Sequence, residues 1–271
     1  MAREKILIGG DTNSSKTLSL VMLAIMYPQK KVLILDPDDG VRKVLAELFI
    51  TNPVEQLPNL TIYPVRSDWK AMLDFYNSVK PFYNEDDWIC FDMLGRFWDL
   101  AQQYYSIRVF GQDPIEHLLN LKQQASKVNF GGFDGLQDWS LIKRMHNELL
   151  LDNAVLYSQF NVMATTSVGQ YLPMEKIPTT GIENILAMKF GVKLEGEKHN
   201  IYRFDTIAVM KRKSDGSFIY RLAKDRGRAV NFDTEFDLTN PAMLNGTMTP
   251  LDVPVLKSFW SVYLQNHLTL R

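Results

Sequence analysis

The sequence predicts an α/β protein: a mostly parallel sheet flanked by helices, with an antiparallel hairpin near its C-terminal end. Three observations carry this. Short apolar runs alternate with amphipathic, helix-period segments, the pattern of strand–helix–strand units. Several runs, such as "KKVLILD" and "DWICFD", are almost continuously apolar, as strands buried on both faces must be. Finally, "DTIAVMKRKSDGSFIYRLAKDRG" reads as two alternating strands around Ser214-Asp215-Gly216, a hairpin signal.

Taken in order, residues 5–8 form a short strand, followed by a glycine turn and a helix over about residues 16–26. Residues 30–36 are the next strand, residues 40–49 have helical periodicity, and "LTIYPV" is a third strand. "DWKAMLDFYNSV" reads as a helix and residues 87–92 as another buried strand. From about residue 96 to 135, polar and aromatic residues mix with Gly111, Pro114 and the "NFGGFDG" loop, which predicts helices and an insertion at about 101–137. "DWSLIKRMHNELLLDNAVLYS" is a long amphipathic helix, and residues 160–167 a further strand. After Asn240-Pro241 comes a tail, 241–271, with a helix over about residues 255–268.

Bulk properties set the frame. A chain of 271 residues suits one large α/β domain, or one domain plus an accessory piece. With 46% hydrophobic and 23% charged residues it has ample apolar mass for a core. No segment approaches the ~18 uninterrupted apolar residues of a membrane span, and the first residues do not read as a signal peptide. The single cysteine, Cys90, excludes an intramolecular disulfide and fits a reducing compartment, the cytoplasm. A net charge of -1 argues against coating nucleic acid by bulk electrostatics, though not against a local basic surface. His117, His146, His199 and His267 are scattered and give no metal-ligand spacing.

The chemistry concentrates at residues 10–17. Gly10, Asp11, Thr12, Asn13, Ser14, Ser15, Lys16 and Thr17 follow the phosphate-loop pattern G-x-x-x-x-G-K-[ST], except that Ser15 stands at the second glycine. A glycine turn between strand and helix offers backbone N–H groups to an anion, and the helix dipole adds to the attraction. Lys16 would reach the β- and γ-phosphates of ATP and Thr17 would hold Mg²⁺. Serine fits at position 15 only with negative φ or with strain. The competing expectation is a polar turn, Asn13-Ser14-Ser15, that merely caps a helix.

Other residues supply what such a loop needs. "WICFD" ends in Asp92, the carboxylate expected to position magnesium. Met93 follows it, so a water-orienting glutamate is missing there. Asp38 in "LILDPDDG" is the preferred water activator, with Asp39 second; it can lie beside the γ-phosphate if its strand neighbours that of the loop. The plain alternative is a Pro-Asp-Asp-Gly turn. Thr165 or Thr166, and preferentially Thr166, ends the strand "NVMATT" as a polar sensor of the γ-phosphate.

In this order of parts the chain resembles the RecA/DnaB-type P-loop ATPase core. It looks most like compact RecA-like nucleotide-binding proteins encoded by bacteriophages, some linked to single-strand annealing recombination. "FDMLGRFWDLAQ" and "DWSLIKRMHNELL" add to the likeness, which covers about residues 3–238 within a domain of residues 1–240. The resemblance implies an ATPase in which Lys224 and Arg226 match a K-x-R pair that reaches a neighbouring subunit's γ-phosphate. The working form would then be a homo-oligomeric ring or filament acting on single-stranded DNA, in the host cytoplasm if phage-encoded. "KDRGR" reads equally as a solvated strand end. Arg96, Arg108, Lys122, Lys127 and Phe130, with Gln170, Tyr171 and Lys176, are candidates for gripping DNA through charge and stacking. The alternatives are a motor ATPase of the packaging type and a non-catalytic nucleotide-binding interaction protein.

Overall fold

In the computed structural model, residues 3–66, 68–113, 115–116, 119–120, 137–171, 175–226 and 229–268 are described. The first half of the chain alternates strands with helical segments: β1 (Lys5–Gly10), α1 (Lys16–Met26), β2 (Val32–Asp36), α2 (Gly40–Glu47) and the short α3 (Pro53–Gln56). Then come β3 (Leu60–Pro64), α4 (Trp69–Val79), β4 (Trp88–Phe91) and the long α5 (Leu94–Phe110). After α6 (Gln137–His146), which continues with a wider turn through Asn147–Leu156, come β5 (Asn161–Thr166) and β6 (Val168–Gly169). The helix α7 (Gly181–Ile185), β7 (Lys193–Leu194) and α8 (Asn200–Arg203) lead to the hairpin β8 (Thr206–Arg212) and β9 (Phe218–Asp225). The edge strand β10 (Phe236–Asp237), α9 (Pro241–Leu244) and α10 (Phe259–Tyr263) follow.

Eight strands form one sheet in the order β10-β9-β8-β1-β5-β4-β2-β3. The six from β8 to β3 are parallel, and β9 and β10 extend them in antiparallel fashion. This is the predicted fold class. Alternation along the strands sends successive side chains to opposite faces. Ile6, Ile8, Ile34, Cys90 and Met163 join α1 in one core layer. Leu7, Leu33, Leu35, Ile89, Phe91 and Val162 join α4 and α5 in the other. The small antiparallel pair β6–β7 stands off the main sheet.

The region expected to hold an insertion begins as regular structure. The helix α5 runs to Phe110 and stops at Gly111, whose φ of 71° is the left-handed geometry that favours glycine at a helix end. Residues 121–136, with Lys122, Lys127, Phe130 and the "NFGGFDG" loop, lie outside the described residues, as does His117.

The helix α10 packs against α1. Phe259, Trp260 and Tyr263 are buried in the same layer as α1. The Phe259 backbone N–H donates to Ser19 Oγ at 3.2 Å, and Trp260 Nε1 donates to the Tyr27 hydroxyl at 2.9 Å. Trp260 also meets Trp88 edge-on, with centroids 4.9 Å apart. The predicted tail helix starts later than its periodicity suggests, because Ser258 caps it by accepting from the Ser261 N–H.

A buried histidine gives the fold an acid-sensitive point. His146 is fully buried, edge-on to Trp98 and stacked against Trp69. Burial pushes its pKa down to about 4, and the smaller effects of Asn147 and Glu197 do not restore it. The native state therefore binds this proton less readily than the unfolded chain. Stability is full above pH ~6.5 and is lost as pH falls toward 4, by roughly 3 kcal/mol if the imidazole must charge in place. In His146→Phe, urea midpoints compared at pH 7 and pH 4.5 should fall less than in the parent; equal falls would refute this assignment.

Candidate nucleotide-binding site

Gly10 ends β1 where no side chain fits. A Cβ there would stand 2.5 Å from Ser14 Oγ and 2.8 Å from the Met210 carbonyl on β8. Its absence lets the loop fold tightly onto the sheet edge. Ser14 is buried and its hydroxyl donates to the Asp11 carbonyl at 2.8 Å. Lys16 Nζ donates to the carbonyls of Gly10 at 2.8 Å and Asp11 at 2.7 Å. The loop thus wraps the ammonium. Burial lowers the Lys16 pKa, against the opposing pull of Asp92, Asp11 and Glu195, so an added anion would restore its preference for charge.

Ser15 adopts φ 66°, ψ 22°, the left-handed conformation that the replaced glycine would take without strain. Of the two options open to a serine, the chain takes the strained one. Asn13, at φ 59°, is left-handed too, but asparagine tolerates this better. The Ser15 side chain makes no cap hydrogen bond that would offset the strain. Ser15→Gly should therefore stabilise the protein by roughly 0.5–1 kcal/mol, the relieved strain exceeding the added entropy of the unfolded chain. Thermal unfolding checks this, and a lowered midpoint would show that the serine side chain contributes more than its backbone costs.

Thr17 and Asp92 meet, although 75 residues separate them. The Thr17 hydroxyl donates to Asp92 Oδ2 at 2.7 Å. Thr165, at the end of β5, donates to the other carboxylate oxygen. The strand order explains the geometry. With β5 lying between β1 and β4, its end is level with Ile8 of β1 on one side and reaches the Asp92 carboxylate that follows β4 on the other. Burial raises the Asp92 pKa, while hydrogen bonds from Thr165 and Thr17 work against the rise. Gly40 faces the pair: a Cβ there would lie 3.7 Å from Asp92 Oδ2 and 3.8 Å from Thr17 Oγ1. A hydroxyl and a carboxylate beside space left by a glycine suit Mg²⁺, which takes few protein ligands and completes its octahedron with phosphate oxygens and water. Thr17 and Asp92 would hold it, and its charge would neutralise the phosphates.

Other predicted residues fall differently. The strand carrying Asp38 does not neighbour β1, because β5 and β4 intervene. Asp38 still lines the same cleft of about 620 Å³, because β2 pairs with β4. There it accepts from Arg96 Nε at 3.0 Å, so its charge already has a partner. Asp39 has φ 54° and pairs with Arg42 at 3.3 Å. Asp36 orders this turn and was missed by sequence reasoning. Its buried carboxylate accepts from the backbone N–H groups of Asp38, Gly40 and Val41. The only sequence signal for that role was an aspartate two residues before an Asp-Asp-Gly turn.

Thr166 points to the opposite face from Asp92, where its hydroxyl donates to the Glu195 carbonyl at 2.9 Å. Of the two threonines, Thr165 is the one that touches the carboxylate. Lys224 and Arg226 lie at the far end of β9, where Asp225 pairs with Thr206 and Thr206 is level with Ile6. At ~3.3 Å per residue that end is roughly 23 Å from Phe218, which lines the phosphate-loop cleft. Neither residue reaches the loop within one chain. Lys224 donates to the carbonyls of Ile201 and Phe204, while Arg226 pairs with Asp205 at 2.9 Å and is 69% exposed. Near the hairpin tip, Arg212 and Phe218 line the cleft instead, the guanidinium 5.5 Å from the ring centre.

No family model matches this chain, and no curated protein matches it. Among solved structures it is similar to one titled "Crystal structure of the RadB recombinase", at 16% identity over 87% of both chains with a TM-score of 0.45. A likeness this distant says nothing about chemistry.

Proposed function

We propose that the protein is a RecA-like ATPase that binds ATP with Mg²⁺ and acts on single-stranded DNA as a homo-oligomer. The single observation that carries the nucleotide assignment is the Thr17–Asp92 contact at 2.7 Å beside the loop holding Lys16. A helix-capping turn needs neither the buried lysine nor the carboxylate from a distant strand. In this reading Gly10 to Thr17 hold the phosphates, Thr17 and Asp92 the metal, and Arg226 of a neighbouring copy completes the site. The bacteriophage setting, recombination or replication, and a place in the host cytoplasm extend the sequence resemblance and have no separate structural support. No helix among the described residues is long and apolar enough to cross a membrane.

Supporting a second reading is the pairing of Asp38 with Arg96 at 3.0 Å, together with Met93 where a glutamate would orient water. Both favour a protein that holds nucleotide and hydrolyses it slowly. ATP turnover measured with and without single-stranded DNA separates the two. Turnover that rises on adding DNA supports the first; tight ATP binding with negligible turnover in both conditions supports the second. Absence of ATP binding overturns both.

A further inference from the structure

Behind the phosphate loop, on the opposite face of β1 and β5, lies a second cleft of about 460 Å³. Leu7, Thr166 and Leu194 form its floor, so consecutive residues at the end of β5 face different sites: Thr165 toward Asp92, Thr166 into this cleft. Asn200, the first residue of α8, lines it and is only 3% exposed. Neither its side-chain oxygen nor its side-chain nitrogen has a hydrogen-bond partner. A carboxamide offers two donors and an acceptor, and leaving them unmade in the interior is costly. Native proteins keep such a group where something else supplies the partners. Gly196, at φ 102°, packs directly against the amide; a Cβ there would come within 3.3 Å of Asn200 Nδ2.

The surroundings narrow the ligand. Trp98 and Tyr171 line the same cleft and offer planar apolar walls. Lysines and glutamates around it balance, and Lys193 is held by Glu175, so the cleft is not built for a dense anion. A flat, neutral group with adjacent donor and acceptor fits this lining. From this geometry we infer that the cleft is a nucleobase site, with Asn200 reading the base edge and Trp98 or Tyr171 stacking on its face. Asparagine pairs in bidentate fashion with the N6 and N7 of adenine, and stacking on an aromatic side chain tolerates any base. Adenine is therefore the preferred ligand. The base can belong to a free nucleoside or to a single strand. The site is independent of the phosphate loop, which needs phosphates that a nucleoside lacks.

The test uses the full chain carrying Lys16→Ala, so that the phosphate loop does not contribute. Adenosine, uridine and oligo(dA) are titrated by tryptophan fluorescence, with Trp98→Phe assigning the signal. Adenosine should bind more tightly than uridine, and Asn200→Leu should weaken it at least tenfold without lowering the thermal midpoint, because an unpartnered amide adds nothing to stability. Oligo(dA) that competes with adenosine assigns the base to a strand; adenosine binding without such competition assigns it to a free nucleoside. Failure of both adenosine and oligo(dA) to bind overturns the proposal, as does binding that Asn200→Leu leaves unchanged. A lowered midpoint in Asn200→Leu would give the amide a structural role and likewise overturn it.

Discussion

Replacing Lys16 with alanine is expected to abolish ATP binding while leaving the fold intact. The ammonium donates within its own loop, to the carbonyls of Gly10 and Asp11 and, at 3.5 Å, to Ser14 Oγ, and its rotatable donors can turn toward phosphate oxygens. Hydrogen bonds to charged groups contribute roughly 1.5–3 kcal/mol each, so losing them at a triphosphate weakens binding on the order of a hundredfold or more. Alanine favours the helix that begins at this residue, so circular dichroism should change little. Calorimetric titration of ATP with magnesium measures the loss. Undiminished affinity would remove the phosphate-loop assignment and return residues 10–17 to a helix cap.

Arg226→Ala is expected to reduce turnover by about 10³–10⁵, the contribution of an arginine finger, and to leave ATP binding nearly unchanged. The structure separates the two members of the K-x-R pair. Lys224 is half-buried and tied to the end of α8 through the carbonyls of Ile201 and Phe204, with its pKa lowered chiefly by burial. Arg226 is exposed and can exchange its Asp205 partner for another anion. Lys224→Ala should therefore show its effect mainly in unfolding midpoints, and Arg226→Ala in turnover. Mixing Arg226→Ala with Lys16→Ala under conditions of subunit exchange should restore part of the activity, because one interface then pairs an intact loop with an intact arginine. No recovery at any mixing ratio would count against completion in trans.

The parts legible in the sequence were those set by local pattern. Period-2 and period-3.6 hydrophobicity gave the strands and helices, and the Ser214-Asp215-Gly216 turn gave the hairpin. Loop spacing singled out Lys16 and Thr17 despite Ser15, and an apolar strand ending in an acid singled out Asp92. What escaped depends on which strands are neighbours. The choice between Thr165 and Thr166 turns on which face of the sheet the Asp92 carboxylate lies on, and no single segment encodes that. The pairing of Asp38 with Arg96 joins residues 58 apart. Likewise, nothing near Lys224 announces that the carbonyls of α8 await it. The tail helix was legible as a helix, but not its burial, because its partner, α1, lies more than 230 residues earlier.

That last pairing has a temporal consequence. The helix bearing Lys16 and Thr17 is synthesised more than 230 residues ahead of Phe259, Trp260 and Tyr263, which cover its back. During translation the apolar side of α1 must wait for them, and contacts so distant in sequence form late and slowly. A growing chain would thus carry residues 10–17 without their final brace until residues 259–263 have emerged. Nucleotide binding would be gained near the end of folding, when Ser19 finally receives the Phe259 amide.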